Sequence, residues 1–364
     1  MKTLIIGGGV VGLSLAYGLT KRNEDVVVVC GSDEDYNASR GNFGLIWSQG
    51  KGLGCPEYSQ WTQKSISLWP SFAEELAKLT GIDVELSLDG GMEYFTNKHE
   101  MEDFIESLHK VKKSNSDSQT YKYLNHEQLK LCVPEIGPKV VGATFMPGDG
   151  HVNPLQLLTA LREGVRLGGA KIFNGARVKR VYRSGDLYNA QLDDNKELSA
   201  PRVIIAAGLG SADLAPMMGF KGAVVPQQGQ LLISEKLPQF LKYPSGTIRQ
   251  VNDGGIQIGG STLDRGLDNK ECIKTVSELA SHAVDVFPCL EEVNLLRSWA
   301  CLRVMTEDGF PIYQESKTNP GAFFITCHSG ITLAAIHSVL LTEWIVGSER
   351  SPDLSMFSEE RFNV

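Results

Sequence analysis

The feature that most constrains this chain is a glycine-rich turn between a strand and a helix near its amino terminus. An apolar run at 3–6 precedes the turn, and residues 13–21 after it have the apolar spacing of a helix. Gly7 permits a tight turn, Gly9 lets the backbone approach a pyrophosphate, and Gly12 allows the helix to lie close to the sheet. In this context the GxGxxG pattern predicts a dinucleotide-binding unit.

One element of that unit is missing. The second strand, residues 26–29, usually ends in an acidic residue that hydrogen-bonds the ribose hydroxyls. Here the strand ends at Cys30. Asp33 is the candidate for the ribose contact, and the alternative is a solvated loop acid.

The composition allows a single catalytic unit built from two interleaved domains. The chain has 364 residues, of which 42% are hydrophobic and 21% are charged. Its net charge of -8 is spread along the chain without a long block of one sign. Such a distribution offers no electrostatic surface for nucleic acid. We therefore expect small molecules or other proteins as partners.

Cysteine usage argues against disulfides and against a metal site. The seven cysteines are scattered singly, without CxxC or Cys/His pairs at metal-ligand spacing. An odd number fits a reducing compartment. The first strand begins close to Met1, which leaves no room for a signal peptide, and no apolar run is as long as a membrane span. We expect a cytoplasmic protein with no metal and no membrane span.

Residues 37–47, NASRGNFGLIW, resemble the small-residue loop of the D-amino-acid-oxidase-like superfamily, which includes glycine oxidase and sarcosine oxidase. Small side chains let backbone amides approach a bound cofactor closely. Further resemblances follow in the order of the family, at 90–92, 149–154, 177–178, 203–208, 299–303, 308–312 and 327–334. In detail the chain is most similar to the FAD-bearing subunits of opine and D-hydroxyproline dehydrogenases and of hydrogen cyanide synthase.

The resemblance implies an α/β fold with a GxGxxG-type, Rossmann-like FAD-binding domain and an interleaved antiparallel-sheet substrate domain, as in glycine oxidase. It assigns 1–86, 142–222 and 298–364 to the FAD-binding domain. Residues 87–141 and 223–297 then form the substrate domain.

The resemblance also implies which residues contact FAD. His328 lies in a carboxy-terminal segment expected to lead into a helix whose first amides face the flavin. Cys301 lies where sarcosine oxidase relatives attach FAD covalently, but a small buried hydrophobic role is the more common one. We therefore favour non-covalent FAD. The expected contacts are Gly7, Gly9, Val10, Val11, Gly12, Asp33, Ser39, Arg40, Gly41, Asn42, Phe43, Gly44, Leu45, Val178, Ala207, Gly208, His328, Ser329, Gly330, Ile331 and Thr332.

Two arginines are the candidates for catalysis. Arg303 matches the family arginine that forks onto the substrate carboxylate, a role that suits a planar, permanently charged donor. The family tyrosine that often helps to bind this carboxylate has no counterpart near 246–250. Arg249 is predicted to bind the carboxylate or a second acidic group. The alternative places Arg249 on the exposed face of an antiparallel strand.

These residues predict oxidation of the C–N bond of a small amino acid, imino acid or opine. A hydride would pass from the α-carbon to flavin N5, and the resulting imine would hydrolyse. One alternative is a 2-hydroxy acid whose carboxylate meets Arg303, and another is a non-catalytic flavin subunit. The resemblance implies ferredoxin-like electron-transfer subunits as partners, with a homo-oligomer as the alternative. The sequence does not distinguish between oxygen and a protein as the electron acceptor.

Overall fold

The computed structural model of the protein describes residues 2–32, 37–114 and 120–362. The strands in these residues are β1 (Lys2–Ile6), β2 (Asp25–Val29), β3 (Leu45–Ile46), β4 (Gly91–Phe95), β5 (Lys122–Asn125), β6 (Gly142–Met146), β7 (Gly150–His151), β8 (Lys171–Phe173), β9 (Val178–Ser184), β10 (Leu187–Leu192), β11 (Glu197–Ala200), β12 (Arg202–Ile205), β13 (Val225–Lys236), β14 (Ile248–Gln250), β15 (Gly255–Ile258), β16 (Leu295–Met305), β17 (Ile312–Glu315) and β18 (Ala322–Thr326).

The α-helices in the same residues are α1 (Val10–Thr20), α2 (Pro56–Thr80), α3 (Lys98–Ser114), α4 (His126–Cys132), α5 (Pro154–Leu167), α6 (Ser211–Leu214), α7 (Ile273–Val286), α8 (Ala334–Ile336) and α9 (Thr342–Ile345). A π-helical turn, His337–Leu341, joins α8 to α9. Short 3-10 turns lie at Gly208–Gly210, Ala215–Met218, Pro288–Leu290, Ser355–Phe357 and Glu359–Phe362. Within the described part of the chain, no helix is both long and apolar enough to cross a membrane.

A six-stranded sheet in the order β17-β18-β12-β1-β2-β8 forms the first half of the fold. All neighbouring strands in it are parallel except β17, which pairs antiparallel with β18. Helices α1 and α5 pack together, and the side chain of Ile5 points into their core. Leu4 and Ile6 alternate to the opposite face, where they pack in the same core as residues of β9 and β10. Both faces are covered, which explains the continuous apolar runs of the central strands.

Antiparallel sheets form the second half. One has the order β14-β15-β13-β16, and a smaller one has the order β4-β6-β5. A third hydrophobic core joins these two sheets with α4 and α7. The predicted fold class, a Rossmann-like domain interleaved with antiparallel sheets, is confirmed.

The domain limits remain a proposal, which the sheets refine. The expected limit at 142 falls where β6 begins, yet β6 pairs with β4 over its whole length and with β5 from Gly142 to Phe145. The limit at 298 falls inside β16, which pairs with β13 as far as Met305. Because a strand is stabilised by its sheet, we propose that the substrate domain extends to 146 and to 305.

Helix α1 lies unusually close to its neighbours. A Cβ on Gly12 would lie 2.0 Å from the carbonyl oxygen of Gly7, and one on Gly18 would lie 2.0 Å from that of Ser338. Almost every residue of α1 is buried. Two helix-to-backbone contacts, one at each end, therefore fix how deeply the helix sits against the sheet and against the π-helical turn.

We predict that Gly18→Ala lowers the free energy of unfolding by about 1–3 kcal/mol, because the new methyl group forces α1 away from Ser338. This loss outweighs the gain of roughly 1 kcal/mol in helix propensity. Thermal unfolding of the flavin-loaded protein measures the change. Ser67→Ala, at an exposed site on α2, should leave the transition in place. A Gly18→Ala protein as stable as the original would contradict the close packing.

Candidate active site

A cavity of about 1330 Å³ lies at the carboxyl ends of β1, β2, β12 and β18. Ligands of open α/β sheets bind at this edge. A drug-sized ligand typically occupies a site of roughly 300–1,000 Å³. The cavity is therefore large enough to hold an extended dinucleotide together with a small substrate.

The glycine-rich turn forms one wall of the cavity. Gly7 adopts φ 127°, and a Cβ there would lie 2.1 Å from the carbonyl oxygen of Ala206. Gly9 precedes α1 without a side-chain cap, and the first turn of α1 contains no acidic residue. The amide of Val10 donates to the Ser39 hydroxyl at 3.0 Å. An uncapped helix start beside a glycine turn fits the pyrophosphate of FAD.

The end of the cavity next to β2, where the FAD ribose is expected, contains Cys30 in the position that is usually acidic. Asp33 lies outside the described residues, so its predicted contact stays a prediction. Cys30 lines the cavity beside Arg162 and Asn174. Burial raises the pKa of the Cys30 thiol, which the charge and hydrogen bond of Arg162 partly offset. Arg162 also donates to the Asn174 side chain. Sequence reasoning missed this pair because neither residue belongs to a local motif.

Of the described residues expected to contact FAD, all but Gly12 and Gly44 line the cavity. Gly12 faces the carbonyl of Gly7 instead. Gly44 has φ 89°, and a Cβ there would meet the carbonyl oxygen of Val152 at 2.5 Å. These two glycines allow close backbone packing behind the cavity. As FAD contacts, the residues that line the cavity remain proposals.

The carboxy-terminal segment contributes His328, Ser329 and Thr332 to the wall. The helix expected directly after it begins only at Ala334, because residues 330–333 form a turn. Burial lowers the pKa of His328 to about 4, and the positive charges of Lys51 and Arg303 contribute to the lowering. His328 is consequently neutral near pH 7.

Lys51 is a further residue of the site that sequence reasoning missed. Its ammonium donates to the Ser329 hydroxyl at 2.6 Å and lies 3.4 Å from that of Thr332. Tyr58 donates to the same Ser329 oxygen at 3.0 Å. Burial lowers the pKa of Lys51 to about 8, an effect that the nearby Asp149 opposes. The segment QGKG around Lys51 was the only signal in the sequence.

Arg303 lies on β16 and lines the cavity. Its Nη1 donates to the carbonyl of Gln228 at 3.3 Å, and a Cβ on Gly229 would lie 2.6 Å from its Nη2. Burial lowers its pKa. Among the described residues Arg303 forms no salt bridge. The guanidinium therefore keeps donors available for an anion in the cavity.

Arg249 does not line the cavity, contrary to its predicted contact with substrate. It is also buried, so the exposed-strand alternative is wrong. Its Nε donates to Gln257 at 2.8 Å, and its Nη1 lies 3.0 Å from both His151 Nδ1 and the carbonyl of Val152. Burial lowers the pKa of Arg249 to about 9 and that of His151 to about 3. Arg249 thus ties β14 to the segment after β7.

Cys301 lines the cavity on the same strand as Arg303. Burial raises the pKa of its thiol, although Arg303 lowers it in part. A thiolate is the nucleophile in bond formation to carbon, so a raised pKa makes Cys301 less reactive. This favours non-covalent FAD. The described residues hold no group of three or more His, Cys, Asp or Glu side chains that could bind a metal ion.

Comparisons with known proteins agree with this geometry. The family described as DAO, FAD dependent oxidoreductase, matches residues 2–344. A subunit of the opine oxidase of Rhizobium meliloti is 38% identical over 363 residues, which cover 99% of this chain and 97% of the relative. Hydrogen cyanide synthase subunit HcnC of Pseudomonas aeruginosa is 29% identical, with 99% and 95% covered. The crystal structure of glycine oxidase from Geobacillus kaustophilus superposes with a TM-score of 0.90 at 24% identity, covering 98% and 97%.

We predict that the absorbance of the bound flavin changes in one step near pH 8, because the Lys51 ammonium loses its proton as the pH rises through its pKa. Lys51→Met should abolish this step. Absorbance spectra from about pH 6 to about pH 10 bracket the transition. Lys64→Met, on the exposed side of α2, should retain it. A step that persists in Lys51→Met would assign the titration to another group.

We predict that Arg249→Ala lowers the free energy of unfolding by about 3 kcal/mol, because it leaves three buried acceptors without their donor. Chemical denaturation of the flavin-loaded protein measures this loss. Arg350→Ala, at an exposed site, should have no effect. Unchanged stability combined with weaker substrate binding would instead place Arg249 in the substrate site.

Proposed function

Because the chain belongs to the family of FAD-dependent oxidoreductases, we propose that it oxidises the C–N bond of a small amino acid, imino acid or opine. Its cofactor is FAD. The single observation that carries the proposal is Arg303, a guanidinium without an ion pair among the described residues, which lines the same cavity as the glycine-rich turn. A substrate carboxylate is the ligand that such a group binds with two parallel hydrogen bonds.

The relatives support this substrate class. One relative is named as a subunit of an opine oxidase, and glycine oxidase from Geobacillus kaustophilus is 26% identical over 365 residues. Glycine and opines share a carboxylate next to an amine-bearing carbon. An arginine fixed beside the cofactor cavity would hold any of these compounds by their common part.

When bound, FAD supplies the acceptor for the hydride that leaves the α-carbon. The chain then has to hold the substrate in one orientation and keep its amine neutral. Arg303 provides the orientation, since a planar fork fixes the plane of a carboxylate. Desolvation keeps the substrate amine neutral, because removal from water lowers the pKa of a cation. It lowers the pKa values of Lys51 and His328 in the same cavity.

A hetero-oligomer is part of the proposal. The opine oxidase and hydrogen cyanide synthase relatives are both named as subunits, and each matches almost the whole chain. We propose that this chain also works beside another subunit. An electron-transfer partner of the ferredoxin-like type is one form that such a subunit takes, and a homo-oligomer is the alternative.

We predict that an amino or imino acid bleaches the flavin absorbance of the purified protein without oxygen, whereas D-lactate does not. The panel contains glycine, sarcosine, D-proline, D-hydroxyproline, octopine and nopaline. Arg303→Ala should lower kcat/KM for the active compound on the order of 100-fold or more, because a bidentate charged contact is lost. The amount of bound FAD should not change.

The matched control is Arg297→Ala, an exposed arginine on the same strand, which should leave turnover intact. Bleaching by lactate alone would replace the amine by a 2-hydroxy acid. Full activity of Arg303→Ala would remove Arg303 from the substrate site.

A further inference from the structure

Cys30, the residue that follows β2, stands where dinucleotide-binding units usually have an acid. That acid accepts hydrogen bonds from the ribose hydroxyls. Cys30 is buried and lines the cavity. A thiol is only a weak acceptor, so Cys30 does not replace a carboxylate. The ribose of FAD therefore needs another partner at this end of the cavity.

Arg162, on α5, extends to the end of β2. Strand β8 lies beside β2 in the sheet, and the amide of Cys30 donates to the carbonyl of Phe173 at 2.8 Å. Asn174, the next residue along the chain, therefore lies close to Cys30. Arg162 donates to the side chain of Asn174 and also hydrogen-bonds the Cys30 thiol. Arg162, Cys30 and Asn174 all line the cavity.

The Arg162 guanidinium keeps donors for a ligand. Within the described ranges its partners are Asn174 and Cys30, and a guanidinium has more N–H groups than these partners use. The side chain is half-buried, and no described carboxylate forms a salt bridge with it. Arg166, one turn further along α5, is exposed and pairs with Glu163 instead. Of these two arginines on one helix, only Arg162 lines the cavity.

The described residues place no carboxylate near Arg162 in the cavity wall. In the part of the wall that the structure describes, the acidic residue is Asp213. It lies on α6, which follows β12, and β1 separates β12 from β2 in the sheet. Arg177 and Lys179, which follow β8, also line the cavity. At the end of β2 these residues offer the ribose hydrogen-bond donors.

We propose that Arg162 holds the adenosine ribose of FAD by donating hydrogen bonds to it, in place of the acid that usually accepts them. Hydroxyl groups accept as well as donate, so a guanidinium can take over this contact. The exchange alters selectivity, because an arginine at this place accommodates a ribose that carries a phosphate. The adenosine end of the cavity thus prefers an anionic ribose. The substrate and its oxidation play no part in this preference.

The experiment measures how the flavin-loaded protein retains FAD, without any substrate. The protein is equilibrated at low concentration, and the free FAD that passes an ultrafiltration membrane gives the Kd. Adenosine 5′-phosphate or adenosine 2′,5′-bisphosphate is then added as a competitor. The concentration that displaces half of the FAD is read for each competitor. The two compounds differ only in the 2′-phosphate.

In the native protein the bisphosphate should displace half of the FAD at a concentration roughly 10- to 100-fold below that of the monophosphate, as expected for a charged hydrogen bond. Arg162→Met should raise the Kd for FAD by roughly 10-fold or more. It should also bring the two competitors within about threefold of each other. Arg166→Met is the matched control on the same helix and should change neither result.

Equal competitors in the native protein, or a stronger effect of the monophosphate, overturn the inference whether or not the variant folds. Unchanged FAD affinity in Arg162→Met also overturns it, and weaker binding by Asp33→Asn would then assign the ribose to the acid predicted from the sequence. A weaker affinity in Arg162→Met that leaves the preference for the bisphosphate intact would show a general change of the cavity, and the inference would fall.

Discussion

The close approach of backbone to backbone around α1 is the constraint on which the site depends. Gly12 lies directly against the carbonyl of Gly7, and Gly18 lies directly against that of Ser338. These contacts hold the start of α1 at the carboxyl edge of the parallel sheet, where Val10 and Val11 line the cavity. Any side chain at either position would move the helix, and the cavity wall formed by the glycine-rich turn would move with it.

Desolvation then gives the cavity its chemical character. Desolvation lowers the pKa values of Lys51 and Arg303, and desolvation together with these two positive charges lowers that of His328. Each charge in the cavity is therefore weakly balanced before a ligand enters. A ligand carboxylate would balance the positive charges of Lys51 and Arg303, which both line the cavity. Burial raises the free energy of these charges in the empty cavity, and for the same reason it favours ligands that carry the opposite charge.

The features that the sequence predicted are those that depend on the spacing of nearby residues and on recognisable motifs. The strand-turn-helix around Gly7, the fold class and the segments that meet at the cavity follow from spacing and from resemblance along the chain. The structure departs from the sequence-based expectation where tertiary contacts decide. Arg249 had the right chemistry for a substrate contact, but His151 and Val152, almost a hundred residues away, take its donors. The sequence around Lys51 offered only the segment QGKG, because packing in the folded chain is what makes a charged side chain unusual.

The bonds that hold Lys51 join distant parts of the chain. Lys51 and Ser329 are 278 residues apart in sequence, and Trp47 and Thr332, which also bond, are 285 apart. During synthesis the glycine-rich half of the cavity emerges long before the segment that closes it. Contacts of such high contact order form late and slowly. The wall formed by residues 327–332 is therefore added last, and a chain that ends before it would leave one side of the cavity open.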